Sequence, residues 1–340
     1  MISLYLHSHT YICTLKSRLF RKILPFIVIA LPCIFFTGCA KDRAPLSATG
    51  FYYDTVISIT LYEGGDEALL NRCMELAAHY ENLFSAQKEG SEIWKINHGN
   101  GSYVTVSDDT LSLLSAALSY ARLSGGQVDP AIGSLSFLWN FGSDNRQQVP
   151  DSDQIQEALT HVDYHKIEID GNRVRLTDAA SSLDPGFIAK GFIGDRMKEF
   201  LIANGVSSAI INLGGNVVLI GEKPDGSPFK IGIQKPFAPI GSSALTLELS
   251  DISVVSSGNY ERYFIKDDTL YHHILSTRTG YPATSGLSQV TILYENAADA
   301  DALSTLCYLL GYEKATALLK ENYPDARAVF LTQDGEILYH

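Results

Sequence analysis

An α+β fold, with helices packed on mixed or antiparallel sheets, is what this sequence predicts. Strand-like and helix-like segments intermix without the strict βαβ alternation of a doubly wound protein. Strand-like runs meet at short turn signals such as Asp170-Gly171 and Asp334-Gly335. No GxGxxG follows a strand, and GxxxxGKS/T, HExxH and GxSxG are all missing, so kinase, Rossmann and hydrolase readings have no support.

Taken in order, Phe51 to Tyr62 alternates and is rich in β-branched and aromatic residues, so it reads as a strand. Gly64-Gly65 turns the chain into a helix over Asp66 to Phe84, where Leu69, Leu70, Cys73, Leu76, Ala77, Tyr80, Leu83 and Phe84 share a face. A second helix runs from about Asp108 to Leu123, between the N-cap Ser107 and the stop Gly125-Gly126. Asp151 to Thr177 reads as a short helix and a hairpin, and Phe187 to Ala203 as a helix ended by Asn204-Gly205. Five strands follow between Ser208 and Ser256. A two-strand unit around Asp267-Asp268 then leads through Thr269–Leu275 to a strand at Gln289–Tyr294. Helices at Ala298–Leu310 and Glu313–Glu321 precede a last hairpin. No repeat, low-complexity tract or interdomain linker interrupts the run.

With 340 residues, 46% of them hydrophobic and 19% charged, the chain has material for a large core. The formal net charge of -12 argues against nucleic acid as a partner, because phosphate backbones need a basic face. An acidic body that handles a phosphorylated ligand needs local charge inversion, by a lysine or by a bound cation.

The N-terminus carries an export address. Lys16, Arg18, Arg21 and Lys22 form a basic cluster, and the apolar stretch from Ile23 to Phe36 is too short for an ordinary spanning helix and suits a signal peptide. It ends in Phe36-Thr37-Gly38-Cys39, which resembles a bacterial lipobox, although Phe36 stands where Leu is usual. The expectation is a signal peptide over 1–38, lipidation at Cys39, a polar tether over 39–50 and one functional domain over 51–340. Such a protein is exported and membrane-anchored, on the outer side of the cytoplasmic membrane or in the periplasm. The other reading is a plain signal anchor with an incidental cysteine. Cys73 and Cys307 lie in apolar helical patterns and read as small buried hydrophobes, not as a disulfide or a metal pair.

Several segments carry candidate chemistry. Asp301 and Thr305 are four apart in a helical pattern, so they share a face, and a carboxylate with a hydroxyl suits Mg²⁺ or Ca²⁺ better than Zn²⁺. The same spacing also suits an Asp supporting the helix dipole with Thr305 bonding back to its carbonyl; Asp299, two residues away, points elsewhere. Asp184-Pro185-Gly186 opens a helix whose free N–H groups and first-turn Lys190 could meet a pyrophosphate. Equally, Asp184 could be an N-cap and Lys190 a solvated lysine. In Tyr271-His272-His273-Ile274-Leu275 the two histidines face opposite sides of a strand, so only one can serve a given site as general base. A lone strand histidine is otherwise a satisfied core or surface residue. Gly126 to Gly133 and Asn212 to Asn216 look built around loops, the latter also readable as a hairpin turn.

The order of these segments carries more than any one of them. FYYDTVISITLY (51–62), SEIWKIN (91–97), VDPAIG (128–133) and LWNFG (138–142) come first. DPGFIAKGFIGD (184–195), NLGGNVVLIGEKPDG (212–226), SSGNYERYF (256–264), YHHI (271–274), TRTGYPA (277–283) and ADALSTLCYLLG (300–311) follow. From about Phe51 to about Glu321 the chain resembles the ApbE family of FAD:protein FMN transferases.

The resemblance implies an ApbE-like fold. It also implies an Mg²⁺-dependent transferase that splits FAD, attaches FMN by a phosphoester to a threonine of a secreted or membrane flavoprotein, and releases AMP. By position, Asp301 and Thr305 match the family's metal-binding side chains, and Phe187 the main-chain carbonyl that completes the site. His273, directly before Ile274, matches the proposed base, with Asp301 the other catalytic residue. Flavin-contacting positions are Tyr53, Gln87, Asn97, Asp129, Pro130, Ala131, Asp184, Lys190 and Ile274. Tyr53-Asp54-Thr55 departs from a common Met-Gly-Thr, Ala131 from Thr, Ser134 from Pro, Ser276-Thr277 from Asp-Pro, and Gln87 from a frequent aromatic. An FAD pyrophosphatase yielding FMN and AMP, or a non-catalytic flavin-binding lipoprotein, are the rival readings.

Overall fold

The computed structural model describes residues 44–142 and 147–340; the expected signal peptide and Cys39 lie outside them. In chain order, β1 (Leu46–Tyr52) and β2 (Thr55–Glu63) form a hairpin, followed by α1 (Glu67–Phe84) and α2 (Glu92–Asn97). Then come β3 (Val104–Thr105), α3 (Asp108–Leu123), α4 (Gly133–Trp139), α5 (Ser152–Thr160), β4 (Ile167–Asp170), β5 (Arg173–Leu176) and α6 (Gly186–Ala203). The strands β6 (Ser208–Leu213), β7 (Asn216–Ile220), β8 (Phe229–Gln234), β9 (Ser243–Leu249) and β10 (Ser253–Gly258) follow. After β11 (Tyr263–Lys266), β12 (Thr269–His272) and β13 (Leu287–Tyr294), α7 (Ala297–Leu310) and α8 (Tyr312–Asn322) lead to β14 (Arg327–Thr332) and β15 (Ile337–Tyr339).

Eight strands make one sheet in the order β1-β2-β6-β7-β10-β13-β14-β15. Every described strand pair is antiparallel, and the one parallel contact is an isolated bridge between Ile132 and Ser182. The α+β class therefore holds with antiparallel sheets throughout.

The sheet centre is covered on both faces. On one, Ile57, Ile59, Ile211, Val218 and Ile292 pack with α1, α6 and α7. On the other, Leu219, Val254, Leu293 and Val329 meet Phe229, Ile231 and Ile233 of β8. Neighbouring residues Val218 and Leu219 serve opposite cores, as the period of two requires. Leu287 to Leu293 of β13 is buried throughout, polar Ser288, Gln289 and Thr291 included. α7 is apolar on nearly all sides because it packs against β10, β13 and α6 at once.

Two expectations are corrected. The tether stops short of Gly50, because Leu46–Tyr52 alternates against β2 and the compact unit begins at Pro45. The strand expected over Phe51–Tyr62 is broken at Tyr53-Asp54, both in the left-handed region at φ 55° and 54°, where the hairpin turns. By contrast, Gly126 to Ile132 is a loop, as expected, and α4 begins at Gly133. Gly214-Gly215 is the β6–β7 turn, and a Cβ on Gly214 would lie 2.1 Å from Thr55 Oγ1. Cys73 and Cys307 are both buried and free. Among the described residues no helix is long and apolar enough to cross a membrane.

Candidate active site

A cleft of about 1110 Å³ opens between the β1–β2 turn, the N-terminus of α6, the β8–β9 hairpin and the segment after β12. That volume suits a ligand at or above drug size. At its floor lie Lys190, Asp301, Thr305 and His273, brought together from three separate parts of the sequence.

The floor is built by the contact of α6 with α7. Gly191 lets the helices meet: a Cβ there would stand 2.1 Å from the Ala297 carbonyl oxygen and 2.7 Å from Asp301 Cβ. The Gly191 N–H, which a regular helix would give to the Phe187 carbonyl, donates to Asp301 Oδ2 at 2.8 Å. Asp195, also on α6, accepts the Ala297 and Ala298 N–H groups at 2.8 and 2.9 Å and so fixes the start of α7. Burial raises the Asp195 carboxyl to about 6 against those two bonds.

Asp301 is fifth in α7, behind the dipole position that Asp299 occupies. Asp299 turns away, as expected, and accepts the Tyr120 hydroxyl at 2.6 Å. The hydroxyl that bonds back to the Asp301 carbonyl is that of Ser304, at 2.8 Å, whereas Thr305 Oγ1 meets Ser257 Oγ at 3.0 Å. Asp301 is 2% exposed, and burial raises its pKa in spite of the nearby Lys190 ammonium and the Gly191 N–H. A buried carboxylate beside a hydroxyl, with His273 Nδ1 buried on the same cleft without a hydrogen-bond partner, is a donor set that fits a hard cation and a polar ligand.

The two histidines diverge as expected, although β12 ends at His272 and not at Leu275. His272 is buried behind the cleft. Its Nε2 lies 3.0 Å from the Ala283 carbonyl and its Nδ1 accepts the Ile274 N–H at 3.3 Å, with the Tyr308 ring edge-on. His273 lines the cleft, tied by its own N–H to the Arg262 carbonyl at 3.1 Å. Burial lowers the His273 pKa to about 3, helped by the Arg262, His272 and Lys190 charges, so the ring is neutral at pH 7. Glu261, exposed to the cleft on the same wall, has its carboxyl pushed up by desolvation there and by Asp301, against the pull of Lys190 and Arg262.

Tyr53, Gln87, Asp129, Asp184, Phe187 and Ile274 also line the cleft, but three expected flavin contacts do not. The Asn97 side chain is spent on the Leu183 backbone, accepting its N–H at 2.6 Å and donating to its carbonyl at 3.0 Å. Ala131 is fully buried, and its N–H goes to Asp129 Oδ1 at 2.7 Å. Pro130 is buried too, and its carbonyl accepts the Asp184 N–H at 2.8 Å. These residues shape the loop that enters α6 and do not face the ligand space. Asp184 is no N-cap, since Pro185 holds that place; its carboxylate takes the Gly186 N–H at 3.1 Å and the Ser136 hydroxyl at 2.7 Å. Lys190 begins the second turn of α6 instead of the first. Sequence reasoning missed Asp195, Ser257 and Glu261, although all three fall in the quoted segments.

A sheet-and-helix frame with one long cleft, charged at its floor, marks a ligand-transforming protein of the α+β class. The chain belongs to the ApbE family, whose model matches residues 53–330. It is 37% identical to the FAD:protein FMN transferase of Treponema pallidum (strain Nichols) over 286 residues, 79% of this chain and 78% of that one. It is equally identical to a Klebsiella pneumoniae (strain 342) protein of the same name over 301 residues, 88% of this chain and 92% of the relative. Among solved structures, the ApbE protein of Thermotoga maritima matches with TM-score 0.79 at 32% identity, covering 87% of this chain and 96% of its own. The apo flavinyl transferase ApbE of Pseudomonas stutzeri matches at 0.75 and 29% identity, over 87% and 94%.

Proposed function

We infer that this chain is an FAD:protein FMN transferase. The observation that carries the reading is the cleft floor, where Lys190, His273, Asp301 and Thr305 line one space of about 1110 Å³. The acceptor is a threonine of a secreted or membrane flavoprotein. Its Oγ bonds to the FMN phosphorus while the bond from that phosphorus to the bridging pyrophosphate oxygen breaks, and AMP leaves with that oxygen. Lys190 and the α6 N-terminus hold the pyrophosphate. His273, kept neutral, takes the threonine proton. Asp301, Thr305 and the Phe187 carbonyl form an all-oxygen set for Mg²⁺, which when bound supplies charge neutralisation on the phosphate oxygens.

The test is to incubate the protein with FAD, Mg²⁺ and the flavin-free form of a secreted redox subunit that carries covalent FMN in the cell. The acceptor should gain one FMN phosphoryl unit for each AMP released. Free FMN without an adduct would make the protein an FAD pyrophosphatase, and bound FAD without either product a flavin carrier.

The protein is placed outside the cytoplasmic membrane, anchored by lipid on Cys39, on the strength of the basic cluster, the short apolar stretch and Thr37-Gly38-Cys39. Cys39→Ser should leave it unprocessed or released from membranes. A mature N-terminus far from Cys39, with no acyl mass, rules the anchor out.

A further inference from the structure

The mouth of the cleft is as apolar as its floor is charged. Phe237, Ile240, Tyr263 and Val56 line it, with exposures of 51%, 102%, 40% and 56%. Ile265, two residues beyond Tyr263 on β11, shares its face and is likewise exposed. A small-molecule pocket encloses most of its ligand, so side chains this open at the outer edge are left for a larger body.

The loop carrying Phe237 and Ile240 joins β8 to β9, and it is braced. Gln234 Nε2 faces the carbonyls of Lys235, Ala238 and Pro239 at 3.0, 3.3 and 3.2 Å, and Oε1 accepts the Gly241 N–H at 3.0 Å. The Lys235 N–H donates to the Ser242 carbonyl at 2.7 Å across the base of the loop. Phe237 is held at φ 57°, a strained conformation for a residue with a side chain, and its ring packs edge-on against Tyr263 and Tyr260. A strained, hydrogen-bonded loop that fixes apolar side chains in the open is pre-organised for a partner.

We propose that this rim, centred on Phe237 and Ile240, docks the acceptor protein and grips apolar side chains flanking its target threonine. The proposal rests on the transferase reading. Continuity fixes the occupant: the phosphorus under attack lies within this cleft, and the acceptor is the macromolecule that the reaction brings to its mouth. The partner segment is extended, so that its threonine reaches past the rim to the floor.

Transfer kinetics on wild type, Ile240→Ser and Phe237→Ser test it, with the flavin-free secreted redox subunit as acceptor. FAD affinity is measured in parallel by flavin fluorescence without acceptor. Each variant should raise the acceptor KM about tenfold or more and leave FAD affinity within about twofold. Both side chains are solvent-exposed, so folding should persist, and a melting curve checks it. Gln234→Ala, which frees the loop, should move KM in the same direction. An unchanged acceptor KM overturns the proposal. So does a fall in FAD affinity, which gives the loop to the FAD site, or an altered sedimentation coefficient, which makes the rim a contact between copies. Wild-type protein that binds no FAD sinks the transferase reading itself, and the docking proposal with it.

Discussion

Asp301→Asn should lower AMP release from FAD by roughly 10³-fold or more, because a metal on the phosphate oxygens is worth several kcal/mol. The fold should survive. Burial raises the Asp301 pKa, and an acid raised in the folded state loses stability as pH climbs from its ordinary value of 3.8 through the folded one. Once ionised, the carboxylate is therefore a burden on the apo protein, tolerated for what it binds. Asn removes the charge and can still accept the Gly191 N–H, so the metal-free Tm should hold or rise. Added Mg²⁺ should raise the wild-type Tm by mass action and leave the variant's unmoved. That thermal difference separates a lost metal site from a damaged substrate site. Wild-type turnover in excess chelator would end the metal role.

What was legible was what lies on one element. Asp301 and Thr305 share a helix, so their spacing alone put them on one face, and the His272–His273 divergence followed from a local period of two. The loop roles of Asn97, Pro130 and Ala131 were not legible. Asn97 grips Leu183 across 86 residues of sequence, and no spacing rule reaches that far. The Tyr53-Asp54 turn was hidden because Tyr53 is not a usual left-handed turn former and no glycine follows Asp54. The turn is supported from outside, by Glu81 accepting the Tyr53 N–H at 2.9 Å and by Arg262 reaching the Tyr53 carbonyl at 3.4 Å. α2 and α4 are too short to show a helical period. The gathering of Lys190, His273 and Asp301 depends on sheet order, which places β10 and β13 beneath α7, and local patterns carry no record of it.

His273→Ala should slow transfer by about 10² to 10⁴ with little change in FAD affinity, since a base acts on the acceptor's proton and not on the flavin. Its pH dependence is sharper than the substitution alone. A base must be neutral to work, and burial with the Arg262, His272 and Lys190 charges holds the His273 pKa at about 3. The acid limb of kcat/KM, which reports the free enzyme, should therefore lie well below the ordinary histidine value of about 6.5. A bound cation pushes it the same way. Both rings also cost stability in acid, His272 as a ring walled off behind the cleft. Its pKa is lowered to about 4 by burial, so its contribution to stability is complete above about 6.5 and is lost as pH falls through 4, about 3 kcal/mol in all. Activity lost below pH 5 must thus be compared with melting curves at the same pH. At neutral pH His272→Ala should lower Tm and keep the rate per folded molecule, whereas His273→Ala should keep Tm and lose the rate. If His273→Ala keeps wild-type turnover while His272→Ala loses it, the two rings have exchanged roles. If both keep it, the threonine proton goes to another group, and Asp301 is next in reach.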